Sequence, residues 1–126
     1  MPPDGPPIIL GIEDEPRNAA LLTAILRPPA FDLHLAPTLA AGRAWLGGHR
    51  ADVILLDRHL PDGDGLDLVR ELRAEAGGDA YRILLVTASV LGIDRDAAEL
   101  AGCDAFVAKP IRIQGLLEEI RRQLAR

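Results

Sequence analysis

The sequence predicts a single α/β domain, a doubly wound sandwich of five strand–helix units around one five-stranded parallel sheet. Three observations carry that expectation. Short apolar runs alternate with amphipathic stretches along most of the 126 residues. The runs are continuous rather than alternating, the pattern of strands buried on both faces beneath helices. Most of them also stop on a charged or hydroxyl residue, which gathers polar chemistry at one edge of the sheet. A chain of this length has room for one core. Aromatic residues make up only 3%, so Leu, Ile, Val and Ala must build it.

Residues 1–7 are rich in Pro and Gly and are expected to be a flexible arm ahead of a domain over residues 8–126. Ile8 to Ile12 reads as the first strand and stops at Glu13-Asp14-Glu15. Pro16 suits a first helical turn, Leu22, Ile25 and Leu26 recur at helical spacing, and Pro28-Pro29 ends the helix. Phe31 to Leu35 alternates with period two, as a more exposed edge strand would. Thr38 is a suitable N-cap for a helix through Leu46, stopped by Gly47-Gly48. Asp52 to Asp57 is the third strand, and residues 61–65 form a turn cluster. Leu66, Val69 and Leu72 share one face of a helix expected to end near Gly77-Gly78. Ile83 to Val86 is the fourth strand, closed by Thr87-Ala88-Ser89. A short helix over Asp94 to Ala101 stops at Gly102, and Ala105 to Ala108 is the fifth strand. In the last helix Ile113, Leu116, Leu117, Ile120 and Leu124 form one stripe. Right-handed crossovers leave few topologies. With the second strand at an edge, the flavodoxin-like order 2-1-3-4-5 fits.

Composition excludes several classes. Net charge −5 disfavours direct nucleic-acid binding by this domain. One cysteine, Cys103, rules out an internal disulfide and a cysteine-only zinc site. No apolar run approaches the roughly 18 residues of a membrane span, and the start lacks the pattern of a signal peptide. A cytoplasmic location is expected.

The polar strand ends carry the chemistry. Strand one ends in Glu13-Asp14, strand three in Asp57, strand four in Thr87 and strand five in Lys109. Ligands bind beyond the carboxyl ends of such strands, at the switch point between strands one and three. Three clustered carboxylates call for a hard divalent cation with oxygen ligands, and Mg²⁺ takes one or two carboxylates together with phosphate oxygens. Mg²⁺ and Lys109 would neutralise a phosphoryl group, Thr87 would donate to it, and Asp57 would be the nucleophile.

These pieces resemble the receiver domain of bacterial two-component response regulators, the CheY-like superfamily. They are residues 12–16 (Ile-Glu-Asp-Glu-Pro), 54–65 (Ile-Leu-Leu-Asp-Arg-His-Leu-Pro-Asp-Gly-Asp-Gly), 85–88 (Leu-Val-Thr-Ala) and 101–110 (Ala-Gly-Cys-Asp-Ala-Phe-Val-Ala-Lys-Pro). The resemblance runs from Ile8 to Leu124. It implies that Asp57 accepts a phosphoryl group from a histidine kinase or a histidine phosphotransfer protein. It also implies that Mg²⁺, or Mn²⁺ in its place, is held by Asp14, Asp57, Glu13 (commonly through water) and the backbone carbonyl of His59. Thr87, Ala88 and Lys109 then match the phosphoryl-binding positions, and Phe106 the switch aromatic. His59 and Ser89 fall where side chains tune dephosphorylation. The implied output is a downstream protein on the fourth helix, fifth strand and fifth helix, beside the apolar Val90, Leu91 and Ile93. Glu13 replaces the commoner Asp, and Phe106 lacks a hydroxyl, so a switch there works through packing.

Other readings remain on the sequence. An aspartyl-nucleophile phosphatase resembles Asp-x-Asp, but His59 stands at its second acid. A degenerate receiver that only binds proteins typically loses an acid, the threonine or the lysine, and none is lost here. The domain is either a stand-alone regulator or the receiver of a larger protein. His34 and His49 are read as solvent-facing, Cys103 as filling a small buried space, Trp45 as helix packing, and residues 118–122 as a solvated helix face.

Overall fold

A computed structural model describes the backbone of residues 5–88 and 92–126, and the side chains of all of these except 92–94. Its elements are β1 (Ile8–Ile12), α1 (Pro16–Ile25), β2 (Asp32–Ala36), α2 (Leu39–Leu46), β3 (Val53–Asp57), β4 (His59–Leu60), β5 (Gly63–Asp64), α3 (Gly65–Ala74), β6 (Arg82–Thr87), α4 (Gly92–Ala101), β7 (Ala105–Ala108) and α5 (Ile113–Leu124). The main sheet is parallel in the order β2-β1-β3-β6-β7. Counting its own strands alone, that is the expected 2-1-3-4-5.

Alternation along the strands divides the core in two. Leu10, Ile12, Ile54, Leu56, Ile83 and Leu85 face one way, against Leu39 of α2, Leu66, Leu68, Val69 and Leu72 of α3, and Ala98 and Ala101 of α4. Ile9, Val53, Leu55, Leu84, Val86 and Val107 face the other way, against Leu22 and Leu26 at α1 and Leu116 and Ile120 of α5. Full burial of each Leu or Ile is worth roughly 1.5–3 kcal/mol, which explains why so apolar a pattern selects two-sided burial. Gly42 lets α2 settle onto β1, since a Cβ there would lie 2.4 Å from the Ile12 Cδ1.

The structure departs from the sequence reading in three places. Helix α3 stops at Ala74 rather than near Gly77-Gly78, and residues 78–80 form a short 3-10 turn. There the chain doubles back over the helix end: a Cβ on Gly78 would lie 2.0 Å from the Leu72 carbonyl oxygen. The turn cluster contains an antiparallel ribbon, β4 with β5, pairing His59 with Asp64 and Leu60 with Gly63. The α5 stripe is narrower than expected. Ile113 and Leu124 are 51% and 36% exposed, while the polar Gln123 is buried, bonded to Glu119 and Arg126.

Candidate functional site

The site grows from the carboxyl ends of the two central strands. The Glu13 N–H donates to the Ala36 carbonyl (2.9 Å), carrying the β1–β2 ladder one residue past the strand. Glu13 thereby turns its carboxylate inward, 6% exposed, while the next residue, Asp14, faces solvent. Glu15 caps α1, accepting from the N–H groups of Arg17 (3.1 Å) and Asn18 (3.0 Å), with Pro16 in the first turn. That cap brings Asn18 back over Glu13, whose Oε1 accepts from the Asn18 amide (3.0 Å) and from the Glu15 N–H (3.2 Å). Sequence reasoning missed Asn18. Its signal is its place three residues after the capping acid, in the first turn.

Asp57 ends β3 and is 4% exposed. Its Oδ2 accepts from the Lys109 Nζ at 2.9 Å and its Oδ1 from the His59 N–H at 3.3 Å. The Lys109 N–H donates to the Thr87 carbonyl (2.9 Å), one step beyond the β6–β7 ladder, so the lysine reaches over the end of β6 to β3. The Lys109-Pro110 peptide is cis. Thr87 is 4% exposed at the end of β6, followed by the exposed Ala88. Gly65 allows α3 to start directly behind Asp57, for a Cβ there would lie 2.5 Å from the Asp57 carbonyl oxygen.

Glu13, Asp14 and Asp57 each present a carboxylate oxygen, and the three oxygens lie within 4.8 Å of one another. Burial pushes Glu13 up to about 7. The Asn18 amide opposes this, the hydrogen bond and charge of Asp57 add to it, and Lys109 opposes it weakly. Three carboxylates against one ammonium leave an excess of negative charge at a strand edge that is only partly open to solvent. An all-oxygen donor set of this kind fits a hard divalent cation such as Mg²⁺.

Other candidates stand apart from this cluster. The His59 imidazole is exposed on the ribbon. Phe106 is half-buried on β7, and the Arg95 guanidinium of α4 lies 5.1 Å from its ring centroid, itself paired with Glu99 at 3.2 Å. Nothing in the sequence pointed to that cation–π contact. Ser89, Val90 and Leu91 lie outside the described residues, as does the Ile93 side chain. His34 and His49 flank Trp45, with ring centroids 4.9 and 4.6 Å away, so both pack on the indole as well as meeting solvent. Cys103 packs against the α2–α3–α4 core, and burial pushes its thiol up to about 11. Glu119 is half-buried and bonded to Arg122 and Gln123, so the α5 charge cluster is solvated only in part.

The response regulator receiver domain family model matches residues 9–121. Among curated proteins, the probable transcriptional regulatory protein TcrX of Mycobacterium tuberculosis is 36% identical over 98% of this chain. The KDP operon transcriptional regulatory protein KdpE of Escherichia coli is 32% identical over 94%. The chain spans about half the length of these relatives, 52% and 51%. Among solved structures, a putative response regulator from Chloroflexus aurantiacus superposes with a TM-score of 0.89 at 26% identity, covering 96% of this chain and 99% of the other. The receiver domain of the Pseudomonas aeruginosa sensor histidine kinase PA1611, with a magnesium ion in its active-site cleft, gives 0.86 at 30% identity with the same coverage. Among the described residues, no helix is long and apolar enough to cross a membrane.

Proposed function

The chain belongs to the response regulator receiver domain family, and we propose that it is a working phosphoacceptor with Asp57 as the residue that carries the phosphoryl group. One observation carries this reading: a buried carboxylate bonded to Lys109 at 2.9 Å, with two further acids in reach of the same cation. Glu13, Asp14, Asp57 and the His59 carbonyl are the groups proposed to hold Mg²⁺ or Mn²⁺. The bound ion would supply positive charge to the carboxylates and to phosphoryl oxygens.

The donor is a phosphorylated imidazole of a histidine kinase or a histidine phosphotransfer protein. A carboxylate oxygen of Asp57 attacks phosphorus in line. The O–P bond forms, the N–P bond breaks, and its electron pair returns to the imidazole nitrogen, which takes a proton from water. Lys109 already sits on Asp57, so its ammonium can follow charge from the carboxylate onto the transferred group. The Thr87 hydroxyl and the Ala88 N–H are proposed donors to the remaining oxygens. Hydrolysis reverses the loading: water attacks phosphorus and the Asp57 carboxylate leaves with the bonding pair. His59 and Ser89 are proposed to border that water's path.

Lys109 and Thr87, drawn toward the new group, would bias Phe106 and thereby the outer face of α4, β7 and α5. A groove of about 540 Å³ along that face, lined by Arg95, Glu99, Phe106, Glu119 and Arg122 among others, is where a downstream protein is proposed to dock. Net charge −5 argues that DNA contacts, where a longer protein makes them, come from elsewhere in it. The reading places the domain in the cytoplasm. The intact acid, threonine and lysine set argues against a degenerate receiver, and the exposed His59 two residues after Asp57 argues against an aspartyl phosphatase.

The test is intact-mass analysis after incubation with acetyl phosphate and Mg²⁺. One added phosphoryl group is expected on the wild-type chain and none on Asp57→Asn. Equal labelling of the variant would overturn the assignment.

A further inference from the structure

The ribbon that follows Asp57 is tied to a distant helix by one side chain. Its turn, Pro61-Asp62, reaches the amino end of α2. There the Asp62 Oδ1 accepts from the Leu39 N–H at 2.9 Å and its Oδ2 from the Ala40 N–H at 3.0 Å. Thr38 caps the same helix from its own chain, accepting from the Ala41 N–H at 3.0 Å. Three of the helix's free N–H groups are thus satisfied, two of them by a residue 22 and 23 positions away. These two backbone bonds are the main reason the Asp62 carboxyl lies below its ordinary range.

At the other end of the ribbon stands His59. Its N–H donates to the Asp57 Oδ1, and it pairs with Asp64 in the ribbon, while Leu60 is buried in the α2–α3–α4 core. The Gly63 Cα approaches α2 so closely that a Cβ would lie 3.3 Å from the Leu39 Cδ1. The ribbon has only two paired residues per strand, too few to hold a shape alone. Its base is held by the Gly65 N–H on the Arg58 carbonyl (2.6 Å), by Leu60 in the core and by the Asp57 contact, while its turn is held by the α2 contact.

We propose that Asp62 is a positioning residue for the acidic site: by clamping the ribbon turn onto the amino end of α2, it sets His59 and its backbone carbonyl beside Asp57, Asp14 and Glu13 for the divalent cation. This rests on the reading of that cluster as a cation site. A mispositioned ligand by a fraction of an ångström weakens a cation that demands near-octahedral oxygen geometry.

Thr38 supplies the control, because Thr38→Ala also uncaps α2 but leaves the ribbon anchored. Mg²⁺ affinity, measured by calorimetry on the intact chain, is compared among wild type, Asp62→Ala, Asp62→Asn and Thr38→Ala, with thermal stability recorded for each. Asp62→Ala is expected to weaken Mg²⁺ binding by about tenfold. Asp62→Asn, whose amide oxygen still accepts one of the two N–H groups, should fall between. Thr38→Ala should bind as wild type does even where its melting temperature falls as far. Equal loss of affinity in Asp62→Ala and Thr38→Ala, or wild-type affinity in Asp62→Ala, would overturn the proposal. Failure of the wild-type chain to bind Mg²⁺ would instead overturn the cation-site reading beneath it.

Discussion

Two part-buried ion pairs stand at opposite ends of the same sheet, and they are built differently. At the amino ends of β6 and β7, Arg73 of α3 meets Asp104 at 2.8 Å. The same guanidinium donates to the carbonyls of Gly102 (2.9 Å), Gly78 (2.7 Å) and Tyr81 (2.8 Å), and the same Asp104 oxygen accepts from the Ile83 N–H (2.8 Å). Here the acid is fully met, its other oxygen lying 3.5 Å from the Arg126 guanidinium, and all three Arg73 nitrogens are used. Four chain segments are locked together: the end of α3, the 3-10 turn, the start of β6 and the α4–β7 connection. At the carboxyl ends, Lys109 meets Asp57 at 2.9 Å with Glu13 and Asp14 beside it, three acids to one ammonium. The first pair closes a structure. The second leaves charge uncompensated, which suits the cation and phosphoryl group proposed for it.

Cutting each pair should separate these roles. Arg73→Met takes the guanidinium from Asp104 and from three carbonyl acceptors at a half-closed site, and a loss of about 3 kcal/mol of unfolding free energy is expected in urea titration. Lys109→Met should cost clearly less, because its end of the sheet is more open and its proposed role is in transfer. Comparable losses from the two substitutions would erase the distinction. Next in size, Mg²⁺ at a hundredfold above its dissociation constant should stabilise the wild-type chain by about 2.7 kcal/mol, and should do little for Asp14→Ala. In chelator at pH 8, Glu13→Gln should gain about 1 kcal/mol after allowance for solvent screening, since it removes one of three crowded charges and keeps an acceptor for Asn18. A destabilised Glu13→Gln would mean that the acids are not in conflict.

The smallest effect lies at the carboxyl end, at Asp62. Its carboxyl is held below the ordinary value of 3.8 by the α2 N–H groups. A depressed acid contributes stability that is fully present above its unfolded value and is lost as pH falls through its folded one. The stability difference between wild type and Asp62→Asn should therefore be constant near neutrality and shrink below about pH 3.8. A difference that persists in strong acid would show that the charge on Asp62 is irrelevant.

The two ends also differ in how legible they are. Every member of the carboxyl-end cluster stands on a strand end, so hydropathy alone located Glu13, Asp14, Asp57, Thr87 and Lys109: an apolar run that stops on a charge marks the place where the chain leaves the core. Arg73 and Asp104 carry no such mark. Arg73 sits in α3 among ordinary helix formers, and Asp104 looks like a loop acid, yet they join across 31 residues. The same is true of Asn18 over Glu13 and of Arg95 over Phe106.

By itself the sequence determined the element types, the two-sided burial of the strands, the edge position of β2 and the edge of the sheet where the acids gather. These follow from local periodicity and from the cost of burying charge, both readable one segment at a time. Only the tertiary structure decided where α3 stops, that residues 59–64 pair as a ribbon, that Gln123 rather than Leu124 turns inward, and that Asp62 caps a helix two elements back. Each of those depends on a contact between residues far apart in the chain, whose energy exists only once the sheet has brought them together.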